Sequence, residues 1–124
     1  MSDEVTDIAV VGSYNVGLTM NMPRFPTEGE TVIAQNFTEG PGGKGSNQAV
    51  AAARLGANTS FIGKLGEDQY GDDALEVLES ENVDVTYTTQ VSETHTGVAF
   101  ILVNEDGENE ITVAPGANNA LDPD

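Results

Sequence analysis

The chain has 124 residues, with 21 Asp and Glu against 4 Lys and Arg, a formal net charge of −17 and no cysteine. Its four scattered cations, Arg24, Lys44, Arg54 and Lys64, cannot build the basic patch that nucleic acid requires, and an anionic membrane surface would repel the chain. Without thiols there is no disulfide framework, thiolate metal site or cysteine nucleophile. No apolar run reaches transmembrane length and residues 1–7 lack a signal peptide's regions, so the expected location is the cytoplasm.

The length suits about one domain. Hydrophobic residues make up 38%, and they fall in blocks with strand-like and helix-like spacing, which argues for a fold over disorder. Residues 7–12 (DIAVVG) read as a strand buried on both faces, as in a parallel sheet. Residues 13–26 are polar and punctuated by Gly and Pro, and read as loop with a short extended piece. Residues 30–37 suit a strand, and 39–45 (EGPGGKG) a glycine-rich loop. Residues 46–55 read as an alanine-rich helix, capped by Ser46 or Asn47 and ended by Gly56. A strand at 58–63 and a loop at 66–71 follow.

The next helix is expected over 72–82, with Ala74, Leu75, Val77 and Leu78 as its apolar stripe. Its other face carries Asp72, Asp73, Glu76, Glu79 and Glu81 with no cation among them. Like charges three and four apart cost a helix about 0.2–0.5 kcal/mol per pair, and Glu79 and Glu81 stand at the end where the helix dipole disfavours anions. Local stability does not explain this choice. Molar salt does, because the Debye length falls to about 3 Å at 1 M. The expectation is a protein of a salt-rich cell, against the alternative of a merely acidic domain.

Residues 83–89 alternate like a half-exposed strand. Residues 96–103 and 110–114 form a hairpin about the Asp106-Gly107 turn signal. Strand–helix–strand–helix order followed by hairpins suggests an α/β parallel sheet with a smaller antiparallel sheet. At 120–124 (ALDPD), Asp122 before Pro123 is a helix-start signal, so the chain reads either as an N-terminal portion of a longer protein or as ending in a frayed tail.

Gly40, Gly42 and Gly45 match G-x-G-x-x-G, but that fingerprint should directly follow the first strand, and here the strand ends at Gly12. The P-loop pattern also fails, because Gly45 follows Lys44. The segment is either a tight structural turn or a ligand cradle. As a cradle, Gly42 and Gly43 let backbone amides approach a ligand, and the helix start near Ser46 aims N–H groups at the same place. Asn47 adds an amide suited to neutral hydroxyls. Asn15, after the first strand, is either a turn residue or a second ligand group facing this loop. His95 reads as a surface or hinge residue, and Asp68 as a solvated charge or a helix cap.

Taken together, GSYN at 12–15, FPTEGETV at 25–32, GPGGKGSNQAVAAARLGA at 40–57, FIGKLGEDQYG at 61–71 and TGVAFILVNEDGENEITVAPGAN at 96–118 resemble the amino-terminal part of the ribokinase-like PfkB family of carbohydrate kinases. The resemblance implies the N-terminal part of a Rossmann-type parallel sheet with a small antiparallel β-sheet lid, its segments at about 14–39 and 95–114, with Val32 and the 96–103 strand among them. It implies a sugar site drawn from Asn15, Gly17, Gly42, Gly43, Lys44, Gly45, Ser46 and Asn47, and a homodimer contact through the lid. It also implies in-line transfer of the γ-phosphoryl group of ATP to a sugar hydroxyl, with Mg²⁺ and K⁺ as cations.

Two departures qualify this. Gly17 stands where such kinases usually carry Asp, which opens the substrate to another pentose, a hexose or a nucleoside. The G-A-G-D motif that supplies the family's catalytic base does not occur in these residues. The chain is therefore expected to carry the sugar-binding and lid part without a catalytic residue, ATP and cations being held by a C-terminal half beyond it. The alternative is a non-catalytic fragment that binds sugar or dimerises.

Overall fold

In the computed structural model, residues 6–123 are described. Their elements in chain order are β1 (Ile8–Val11), β2 (Asn15–Asn21), β3 (Asn36–Gly42), α1 (Lys44–Arg54), β4 (Thr59–Gly66), α2 (Gln69–Ser80), β5 (Val83–Asp84), β6 (Thr88–Val91), β7 (Gly97–Val103) and β8 (Asn109–Ala114), then a 3-10 helix, Gly116–Ala120. They form two sheets. In the first, every pairing is parallel: β4 is flanked by β1 on one side, and by β5 and then β6 along the other. In the second, the order is β3-β2-β7-β8.

The core lies between the parallel sheet and its helices. Ala49 of α1, Phe61 and Leu65 of β4, and Ala74 and Leu78 of α2 are buried in one cluster with Tyr14 and Val83. Small alanines let α1 lie close to the sheet. Gly56, at φ +99, takes the left-handed conformation that ends it. The expected apolar stripe of α2 faces inward at Ala74 and Leu78, while Asp72, Asp73, Glu76 and Glu79 are exposed. Asp68 is its N-cap: the carboxylate accepts from Gly71 N at 2.8 Å.

Several segments differ from the sequence reading. β1 is not buried on both faces. Val10 packs on the core, but Val11 is 64% exposed, because among the described residues only β4 pairs with this strand and its outer face is open. In the segment after Gly12, read as loop with a short extended piece, the extended part is the seven-residue strand β2. Its alternation was hidden by Asn and Gly, poor strand formers, at positions 15, 17 and 21. Pairing on both sides, antiparallel to β3 and parallel to β7, makes it a strand regardless.

The strand expected over 30–37 begins only at Asn36 and runs to Gly42. Val32 lies outside the sheet and Ile33 is exposed. Glu30 is instead held in a loop clasp, accepting from Arg24 Nη1 and Nη2, both at 2.6 Å, and from Thr27 N at 2.9 Å. The glycine-rich loop is therefore mostly strand, with Pro41 tolerated because β3 is an edge. α1 starts at Lys44, two residues early, with Gly43 rather than Ser46 or Asn47 at its N-cap. Ser46 Oγ donates to Gly42 O at 2.6 Å.

The strand expected over 83–89 is two strands. Asp84 accepts from Thr86 N and Oγ1, and this local turn separates β5 from β6. The hairpin is as expected, with Gly107 at φ +80. The second sheet is mixed rather than antiparallel: β2 and β7 are joined by a long crossover through the other sheet, and so run parallel. No helix begins at Asp122 within the described residues; Leu121 is extended after the 3-10 helix.

Candidate functional site

β1 leads through 12–14 into β2, and α1 starts directly beside this connection. The approach leaves no room for side chains. A Cβ on Gly45 would stand 2.9 Å from Gly12 Cα and from Ser13 N, and one on Gly43 would stand 2.6 Å from Ser13 O. Gly43 also has φ +96, a conformation that only glycine takes cheaply. The first turn of a helix lacks intrahelical partners for its leading N–H groups. Here Ser46 N donates to Ser13 O at 3.1 Å, and Asn47 N to Gly43 O at 2.9 Å. The glycines thus dock the helix start onto the end of β1.

Asn15 opens β2 and pairs in register with Gly42 on one side and Gly97 on the other. Its Oδ1 accepts from Asn118 Nδ2 at 2.9 Å. Asn118 also spans the Tyr14 backbone, donating to its carbonyl and accepting from its N–H, both at 3.0 Å. Nothing in the sequence had marked Asn118. In a PGAN stretch after a strand it reads as a turn residue, and only the fold carries it back to residue 14.

Gly17 follows Asn15 on the same face of β2. A Cβ here would meet Gly40 O at 3.5 Å and Ile101 Cδ1 at 3.6 Å, ordinary contacts, so the position has space for a side chain. Its neighbours Ala99 and Ile101 make this stretch of the face apolar.

Of the expected site residues, the structure brings Asn15, Gly42, Gly43, Gly45 and Ser46 into one contact group and places Gly17 two residues along the same strand face. Lys44 and Asn47 project from the first turn of α1 and are exposed. No hydrogen bond links Asn47 to Asn15. Asn47 borders a cavity of about 270 Å³ between α1 and α2, with Tyr14 at its base. A second hollow of about 460 Å³ lies between α2 and the strands β2 and β3. Both include Tyr14 and Pro41; Pro41 lies on the opposite face of the small sheet from Asn15 and Gly17, while the first hollow also takes in Ser46 at the edge of the cradle. Burial, and secondarily the Asp73 charge, push the Tyr14 hydroxyl's pKa up, so it stays protonated.

The cradle suits a neutral, hydroxylated ligand. It offers glycine backbone and the Asn15 side chain, with Lys44 on the adjoining first turn of α1. Arg24 and Arg54 are engaged elsewhere, with Glu30 and Glu81. Among the described residues no group of three or more His, Cys, Asp or Glu side chains is placed to hold a metal ion. His95 is exposed, and its Nδ1 donates to Thr96 O at 2.7 Å. No helix among the described residues is long and apolar enough to cross a membrane.

The chain is similar to known proteins along nearly its whole length. The chain is 44% identical over 117 residues to the ribokinase of Bacillus subtilis, and 44% identical over 118 residues to the deoxyribokinase of Salmonella typhi. These alignments cover 94% and 95% of this chain but 40% and 39% of the relatives. The solved structure of Arabidopsis thaliana ribokinase complexed with ribose and ATP superposes with a TM-score of 0.84 at 38% identity, over 93% of this chain and 38% of that one. The chain thus spans about two fifths of the length of the proteins it matches. A family profile described as pfkB family carbohydrate kinase matches residues 5–124, and with the ribokinase-like fold around the Gly43–Asn15 junction it places this chain in the pfkB family of carbohydrate kinases.

Proposed function

We propose that the chain is the sugar-binding and lid part of an ATP-dependent, ribokinase-like carbohydrate kinase of the cytoplasm. The observation that carries this reading is the meeting of Asn15 with the Gly42–Gly43 backbone at the carboxyl end of β1, where α/β sheets take their ligands. Asn15 and Asn47 would bind sugar hydroxyls, the glycine amides would fit the ring closely, and Lys44 would face the incoming phosphoryl group. The small mixed sheet is the lid, and its closure would exclude water from the acceptor hydroxyl.

In the full reaction the acceptor oxygen forms a bond to the γ-phosphorus as the bond to the β-phosphate oxygen breaks, leaving ADP. The hydroxyl proton passes to a base outside these residues. Among the described residues no group of three or more His, Cys, Asp or Glu side chains is placed to hold a metal ion, and the acidic surface disfavours a polyanion. No step through ATP or a metal is therefore assigned to them. The role of this part is to hold and orient the acceptor. Half-exposed Phe37 and Phe100 on one face of the lid, and Ile111 and Val113 on the other, support a homodimer through this sheet.

Calorimetry of the chain with D-ribose and 2-deoxy-D-ribose, with and without Mg-ATP, tests the reading. Expected is pentose binding that ATP leaves unchanged, and no phosphorylated product. Absence of heat with every pentose sinks the sugar-site assignment. ATP-dependent product from the purified chain overturns the division of labour.

A further inference from the structure

We propose that Asp68 is a positioning residue for the sugar side: through Thr96 it fixes the start of β7, and thereby Asn15 at the mouth of the lid. A helix cap needs one acceptor for one first-turn N–H, and Asp68 Oδ1 meets that need with Gly71 N. The carboxylate does more. Oδ1 also accepts from Thr96 Oγ1 at 2.6 Å, and Oδ2 accepts from Thr96 N at 2.9 Å. Thr96 is fully buried, and its Oγ1 in turn accepts from Gly66 N at 2.9 Å. One side chain therefore ties the end of β4, the start of α2 and the residue preceding β7.

The packing around this knot admits no slack. A Cβ on Gly66 would stand 2.5 Å from Thr96 N, and one on Gly71 would run into Gly66 O and stand 3.1 Å from Thr96 Oγ1. The residue after Thr96 is Gly97, which pairs with Asn15 and abuts both Asn15 Oδ1 and Asn118 Nδ2. The knot therefore adjoins the strand that flanks Asn15 with no residue between them. At the other crossings between the two sheets, 12–15 and 42–44, the ties are uncharged: Ser46 N donates to Ser13 O, and the Asn118 amide spans the Tyr14 backbone. The crossing at 96–97 is the one pinned by a charge. A lid that must open and close around a fixed ligand group needs such a pin.

The test compares Asp68→Asn, Thr96→Val and Thr96→Ser. Asp68→Asn retains Oδ1 for Gly71 N and Thr96 Oγ1, but sets an NH₂ group against Thr96 N–H, so it loosens the pin while sparing the cap. Amide hydrogen exchange on the 124-residue chain is expected to speed up about tenfold in residues 15–18 and 97–101, the loss of one hydrogen bond to a charged group, with 61–65 unchanged. Thr96→Val should reproduce this and Thr96→Ser should stay near the parent. D-ribose affinity should fall about tenfold in the first two and hold in the third; this second readout rests on the sugar-site reading. Exchange that is unchanged, or that speeds up equally in both sheets, overturns the proposal, as does a Thr96→Ser variant that behaves like Thr96→Val. If Asp68→Asn unfolds the chain, the two Thr96 variants decide. If the parent chain binds no ribose, the sugar reading fails and the exchange comparison still judges the pin.

Discussion

The side-chain amide of Asn118 closes a two-way hydrogen-bonded pair with the backbone of Tyr14, 104 residues earlier, at 3.0 Å in each direction. It does for Tyr14 what a neighbouring strand would do, and its remaining N–H orients the Asn15 amide oxygen. Truncation to Ala leaves the Tyr14 backbone groups partly buried without partners. The expected cost of Asn118→Ala is about 1–3 kcal/mol, read as a lower urea midpoint. Asn118→Asp should weaken pentose binding further than Ala, because it turns a carboxylate toward Tyr14 O and Asn15 Oδ1.

Two glycines on the cradle should respond in opposite ways to the same methyl group. At Gly43, alanine incurs about 1–2 kcal/mol for the left-handed conformation and about 1–3 kcal/mol for overpacking against Ser13 O. At Gly17, where the nearest atoms stand at 3.5 and 3.6 Å, alanine should change stability by less than about 1 kcal/mol. Thermal unfolding of the two variants checks the contrast.

The space at Gly17 bears on substrate choice. A hydroxyl directed at Gly17, Ala99 and Ile101 finds no polar side chain. Gly17→Asp places its Cβ at ordinary contact distances and supplies a charged acceptor, worth about 1.5–3 kcal/mol if a hydroxyl meets it. Calorimetry should then show at least about tenfold tighter binding of D-ribose, with a smaller gain for a sugar lacking that hydroxyl. Equal affinities in parent and variant would place the sugar elsewhere.

Acid should loosen the fold in steps. Burial pushes the Asp68 carboxyl up, but the hydrogen bonds from Thr96 Oγ1, Thr96 N and Gly71 N, with the His95 charge, together outweigh it and hold its pKa below the ordinary 3.8. Such a group stabilises the fold fully above its unfolded value, and that stability is lost as pH falls through the lower folded value. Glu30 behaves likewise in its exposed loop: hydrogen bonding to Arg24, then to Thr27, lowers its pKa from 4.5 to about 2. Melting temperature measured from about pH 6 downward should hold to about pH 4.5 and then decline, and Asp68→Asn should flatten the decline.

Salt should stabilise the protein. The ion pairs Arg24–Glu30 and Arg54–Glu81, both partly exposed, stand against 21 carboxylate residues in the chain. Screening of the α2 face should raise the melting temperature between about 0.1 and 2 M KCl. A flat response would mark the chain as acidic without being adapted to salt.

How far the sequence could be read is best seen residue by residue. The stripe of α2, the Gly56 stop and the Gly107 hairpin were legible because local spacing and backbone freedom encode them. So was the Asp68 cap, though not its hold on Thr96, since a contact 28 residues away leaves no mark in local pattern. β2 and β3 were misplaced because their Asn, Gly and Pro residues are poor strand formers. Their backbone groups are paired by neighbours that local propensity does not register.

Composition and order alone were enough to argue against polyanionic partners, to exclude thiol chemistry, to locate the two helices, and to point to a carbohydrate-kinase family. Tertiary structure decided the rest: that the small sheet is mixed, that the glycine run is strand and helix start rather than loop, that a Cβ fits at Gly17 and not at Gly43, and that Asn118 and Thr96 reach back to bond Tyr14 and Asp68. The reason is that periodicity and turn chemistry act over a few residues, whereas steric closeness and hydrogen-bond pairing depend on which distant segments the fold brings within about 3 Å.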